Sequence, residues 1–81
     1  MAELPVGNPE LLLELLRYPM PFGKYKGLLL RELPMAYLEW FAQKGFPAGK
    51  LGTLLQTLYE IRLNGLDHLL DELQRRTVVG R

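Results

Sequence analysis

Apolar residues recur along this chain mostly at helical spacing, and the interruptions fall where helices would start and stop. Asn8-Pro9 reads as a start, because Asn caps orphan backbone donors and Pro suits the first helical turn. A first helix is predicted over 9–17. Its leucines at 11, 12, 13, 15 and 16 cover more than one face, which implies deep packing or a second contact surface. Pro19 and Pro21 then exclude helix and favour extended backbone before them. Met20-Pro21-Phe22 and Leu28-Leu29-Leu30 flank a turn bounded by Gly23 and Gly27, a pattern that predicts a short β-hairpin over 20–30 lying against the helices.

A second helix is predicted over 34–44 with Gly45 as its stop. Tyr37 and Phe41 share a face, Leu38 and Trp40 widen it, and Phe46 can fold back onto the last turn. A third helix over 48–63 carries the stripe Leu51, Leu54, Leu55, Leu58 and Ile61, and Asn64-Gly65 ends it. A fourth over 66–76 uses Leu66, Leu69, Leu70 and Leu73. The expected fold is therefore α+β but mostly α, about four helices with one short β-hairpin between the first and second. It comprises an N-terminal extension 1–7, a single domain 8–76 and a flexible tail 77–81.

Composition narrows the classes. At 81 residues one domain is expected, and 48% hydrophobic residues supply its core. Cysteine is absent, which excludes disulfides and thiolate metal sites. No apolar stretch approaches the ~20 residues of a membrane span, and the first residues lack a signal-peptide pattern. A cytoplasmic protein with no membrane partner is expected. Net charge is only +1, but Arg17, Lys24, Lys26 and Arg31 fall in a window without acids.

That window centres on the turn Phe22-Gly23-Lys24-Tyr25-Lys26-Gly27. Lysines at alternate positions point together with Tyr25 facing elsewhere, so the ammonium groups can meet phosphates while the glycines allow close approach. The plainer reading is a solvated turn whose tyrosine packs on the core. Were all four cations to neutralise one phosphate each, log K for duplex DNA would fall with log salt at a slope of about −3.6.

Other chemistry is thin. Gly45 to Leu51 resembles a phosphate-binding loop, but the glycines are too close and Leu51 sits where Ser or Thr must hold magnesium. His68, with Asp71 and Glu72 one turn on, reads as a polar helix face and not a metal site. No nucleophile–base arrangement can be assembled, so no enzyme, catalytic residue, metal or small-molecule cofactor is expected. Trp40, the only tryptophan, is expected in the core, with an exposed interface anchor as the alternative.

The string Met20-Pro21-Phe22-Gly23-Lys24-Tyr25-Lys26-Gly27, then Leu33-Pro34, Tyr37-Leu38-Glu39-Trp40-Phe41, Gly45-Phe46-Pro47, Gly49-Lys50-Leu51-Gly52 and residues 59–66, resembles one bacterial family over about 8–73. It is domain-of-unknown-function family 3820, labelled "putative quorum-sensing-regulated virulence factor". Residues 22–27 with Tyr37, Leu38 and Trp40 also look like the small C-terminal module of exodeoxyribonuclease-X-like enzymes. The nuclease domain of those enzymes has no counterpart here. What this resemblance implies is a non-catalytic, substrate-handling module. Taken with the basic window, the candidate nucleic-acid-binding residues are Arg17, Phe22, Gly23, Lys24, Tyr25, Lys26, Gly27 and Arg31, with DNA or RNA as partner. The alternative is an interaction with another protein or a second copy of the chain, through Tyr37, Trp40 and Phe41 or the leucines of the first helix.

Overall fold

A computed structural model describes residues 9–79. Four helices make up the fold: α1 (Pro9–Arg17), α2 (Met35–Lys44), α3 (Gly49–Leu63) and α4 (Asp67–Val79), with a 3-10 turn at Leu30–Glu32 between α1 and α2. The first seven residues, expected as an extension, lie outside the described residues. The tail expected from Thr77 is still helix as far as Val79.

α3 is the central element, touching α1, α2 and the 3-10 turn. Leu51, Leu54, Leu55, Leu58 and Ile61 are buried along it, at the spacing that gathers side chains on one side of a helix. Leu38 and Phe41 of α2, Leu15 and Leu16 of α1, Leu30 and Leu33 around the 3-10 turn and Leu70 of α4 complete one core. Buried Thr57 donates its hydroxyl to the Thr53 carbonyl (2.7 Å), so the core takes in one polar side chain without leaving it unpaired.

The expected α+β class is overturned, because no strand exists among the described residues and no β-hairpin spans 20–30. The two arms do meet, through a single antiparallel bridge between Pro19 and Leu29. The Met20 amide donates to the Leu28 carbonyl (2.7 Å), Gly27 donates to Met20 (2.8 Å), and Leu30 donates to Tyr18 (3.0 Å). A ladder cannot grow from there. Pro19 and Pro21, on either side of Met20, have no amide hydrogen to give. On the other arm the chain turns into the 3-10 helix at Leu30. Met20, almost fully buried, pins the loop to the core.

Charge ties the last helix down. Arg31 on the 3-10 turn reaches α4, with its guanidinium 2.6 Å from Asp71, 3.4 Å from Asp67 and 2.9 Å from the side-chain oxygen of Gln74. Arg62 of α3 donates to the main-chain carbonyls of Arg31 and Leu33 and lies 3.7 Å from Asp67. Burial lowers the pKa of Arg62 from its ordinary value; Asp67 opposes the shift and Arg31 adds to it.

Candidate functional site

The loop after α1 and one face of α2 form a cleft of about 570 Å³. Its lining is Phe22, Lys24 and Tyr25 from the loop and Ala36, Tyr37, Trp40 and Phe41 from α2. Helical spacing explains the α2 contribution: Ala36 and Trp40 are four apart, as are Tyr37 and Phe41, and the two pairs are adjacent. The loop is shaped by glycine at both ends, Gly23 with φ +82° and Gly27 with φ +94°, conformations that a side chain would strain. The Lys26 amide donates to the Gly23 carbonyl (3.1 Å), closing the turn between them.

The turn docks by its tyrosine. Tyr25 is half-buried and meets the ring of Tyr37 edge-on at 4.8 Å, while Gly23 passes so near the Tyr37 hydroxyl that a Cβ would sit 3.1 Å from it. Tyr37 in turn meets Phe41 edge-on at 5.0 Å and lies nearly parallel to Trp40 at 6.5 Å. Phe41 is stacked on Phe46, which continues to Tyr59 on α3. An unbroken run of rings thus connects the turn to the central helix. Aromatic pairs of this kind add about 0.5–1.5 kcal/mol each beyond area burial, which makes the cleft floor stiff.

Trp40 does not lie in the core, where it was expected. It is 50% exposed, because Leu38 and Phe41 take the buried side of α2 and leave position 40 on the flank. Phe22 is 46% exposed on the facing loop. Lys24 and Lys26 are both exposed, and neither belongs to an ion pair among the described residues. The Lys24 ammonium lies 5.5 Å from the ring centre of Tyr25, at the lip of the cleft. Among the described residues, no acidic side chain lines the cleft.

The other two cations of the basic window are elsewhere. Arg31 has only 14% of its side chain exposed and is spent on Asp67, Asp71 and Gln74, so it is a structural residue and is withdrawn from the candidate site. Its partners are 36 to 43 residues away in sequence, where local charge counting does not reach. Arg17 is exposed at the end of α1, in a small groove with Glu10, Leu13 and Glu14. Of the interaction candidates, Tyr37 and Trp40 reach the surface of the cleft and Phe41 is buried beneath it. Ala36 was not anticipated. The signal was its place four residues before Trp40, on the same side of the helix.

The remaining sequence candidates fall away from this site. Lys50 of the phosphate-loop near miss pairs with Glu14 at 3.0 Å and lies near the ring of Tyr18. His68 is exposed, the neighbouring Asp71 is engaged by Arg31, and no group of three or more metal-binding side chains converges among the described residues. No helix of the described residues is long and apolar enough to cross a membrane.

A family model described as "Putative quorum-sensing-regulated virulence factor" matches residues 8–73. "Uncharacterized protein YpeB" of Escherichia coli, in strains K12 and O157:H7, is 52% identical over 67 residues, covering 82% of this chain and 93% of the relative. No solved structure matches. The resemblance to exonuclease-appended modules finds no support in these matches.

Proposed function

The chain belongs to the "Putative quorum-sensing-regulated virulence factor" family, and for it we propose a nucleic-acid-binding role centred on the turn at residues 22–27 and the cleft beside it. The family description speaks of regulation and assigns no chemistry. The observation that carries the reading is the joining of an aromatic cleft to a lysine turn free of acids, with Lys24 at the lip and Lys26 two residues on. Ammonium groups draw in the phosphate backbone, and the rings offer flat apolar faces to bases. DNA and RNA share both features.

The magnitude is smaller than four cations would give. With Arg31 withdrawn and Arg17 placed beside Glu10 and Glu14, Lys24 and Lys26 remain. Two phosphates neutralised imply a log–log salt slope of about −1.8 for duplex and about −1.4 for a single strand. Such a module binds weakly by itself, in the range of about 10⁻⁴–10⁻⁶ M.

Fluorescence anisotropy of labelled DNA and RNA across a salt series tests the role. Expected is shallow, salt-weakened binding that disappears in Lys24→Glu/Lys26→Glu. Binding that ignores salt, or survives the double reversal, would remove the turn from the mechanism.

A second reading is a protein-interaction module that uses the same cleft. It is favoured by the exposure of Phe22 and Trp40 together on one apolar surface, the pattern of aromatic anchors in interfaces. It expects a partner that the lysine reversals leave bound.

A further inference from the structure

We infer that the cleft selects unstacked bases, so that the ligand is a single strand or a strand end and not the body of a duplex; this rests on the nucleic-acid reading above. The argument begins with what the cleft exposes. Trp40 and Phe22 are 50% and 46% exposed, from opposite walls of one concavity. An aromatic face gains from a base only by covering its flat surface. Inside a duplex those surfaces are already covered by the base pairs above and below. Duplex is instead read through its grooves, which admit a protruding helix or a two-stranded ribbon. This site is concave and its turn forms no ribbon.

Size and stiffness agree with that ligand. A cleft of about 570 Å³ lies within the about 300–1,000 Å³ of sites that hold small organic groups, a scale suited to splayed-out bases. Tyr37 lies within 9° of parallel to Trp40 and is braced by Tyr25 and Phe41, so the stacking surface is ordered before a ligand arrives. Charge completes the fit. With Lys24 at the lip and no acid in the lining, a strand can lay its bases on the rings and turn its phosphates toward the turn. Lys26 then meets the next stretch of backbone.

The test uses the full chain and its own fluorophore, since Trp40 is the only tryptophan. Oligothymidylate, oligouridylate and a duplex of matched length are titrated at low salt, with tryptophan emission and anisotropy of a labelled oligomer read together. Expected is quenching of Trp40 by one or both single strands, with the duplex bound at least about tenfold more weakly, as loss of base stacking predicts. Preference for oligothymidylate or oligouridylate would identify DNA or RNA as the source of the strand. Phe22→Ala keeps the fluorophore and removes one wall. It should weaken single-strand binding about five- to one-hundredfold and narrow the margin over duplex, with the far-ultraviolet circular dichroism confirming the fold. Duplex binding as tight as single-strand binding, still lost in Lys24→Glu/Lys26→Glu, would overturn the inference and leave the proposed function standing. Single strands bound without any change in Trp40 emission would overturn it too. No binding of any form, or quenching by a proline-rich peptide alone, would overturn both.

Discussion

Gly52 shows how one hydrogen atom can fix the joint between two helices. It is buried at the end of the first turn of α3, and a Cβ there would run into the carbonyl group of Pro47, where the chain returns from α2. Two effects oppose each other in Gly52→Ala. Helix propensity favours alanine by about 1 kcal/mol, whereas overpacking costs about 1–3 kcal/mol and sits at the upper end when the obstacle is backbone. Steric overlap wins, and a net loss of about 2 kcal/mol is expected, read as a lower urea midpoint with an unchanged slope. A stabilised or unchanged variant would mean that the loop at 46–48 yields easily. The sequence announces an oddity here, a glycine inside an apolar helical stripe, but the reason is a carbonyl five residues upstream whose approach no periodicity records. Trp40 carries the same lesson. Its neighbours Leu38 and Phe41 define a buried stripe, and which flank an adjacent indole takes depends on the packing of α2 against α3.

At the scale of elements, helices were legible and the loop between them was not. Pro9 and Gly45 are local signals that act on their own backbone, and α1 starts at the one and α2 stops before the other, while the cap expected at Asn8 lies outside the described residues. Apolar residues around a glycine turn are different. Met20 and Leu28 to Leu30 satisfy a strand pattern, a buried loop or a 3-10 turn equally well, and the missing amides of Pro19 and Pro21 decide among them. The coupling of this loop to α4 was hidden in the same way. Asp67, Asp71 and Gln74 lie along one side of α4, and Arg31 reads all three from the 3-10 turn. A fully buried pair broken on one side costs about 3–5 kcal/mol and an exposed one at most about 1 kcal/mol. Arg31 is largely buried but its acids are half-exposed, so Arg31→Ala should cost about 1–3 kcal/mol. Hydrogen exchange locates the loss: amides of α4 should exchange faster, while those in the middle of α3 change least. Equal acceleration everywhere would show that α4 is held by Leu70 and not by the arginine.

The whole molecule has little stability to spare and little field with which to attract a ligand. Eighty-one residues without a disulfide bury a modest core, and a net charge of +1 gives no long-range steering. Recognition therefore has to come from contact at the cleft. That dependence works in both directions, because a ligand that seats only on the folded cleft also stabilises the fold. At a free ligand concentration ten times Kd the gain is about 1.4 kcal/mol. For a domain of this size it raises Tm by about 6–10 °C. Oligothymidylate or oligouridylate should produce such a shift at low salt, and matched duplex at the same phosphate concentration should produce a clearly smaller one. The shift should shrink as salt rises and vanish in Lys24→Glu/Lys26→Glu, although Arg31 and its carboxylates are untouched in that variant. An equal shift in the double mutant would place the stabilising contact away from the turn. Because Arg31, Arg62, Asp67 and Asp71 are already paired with one another, that result would direct attention to the α1 groove around Arg17 and away from the aromatic face.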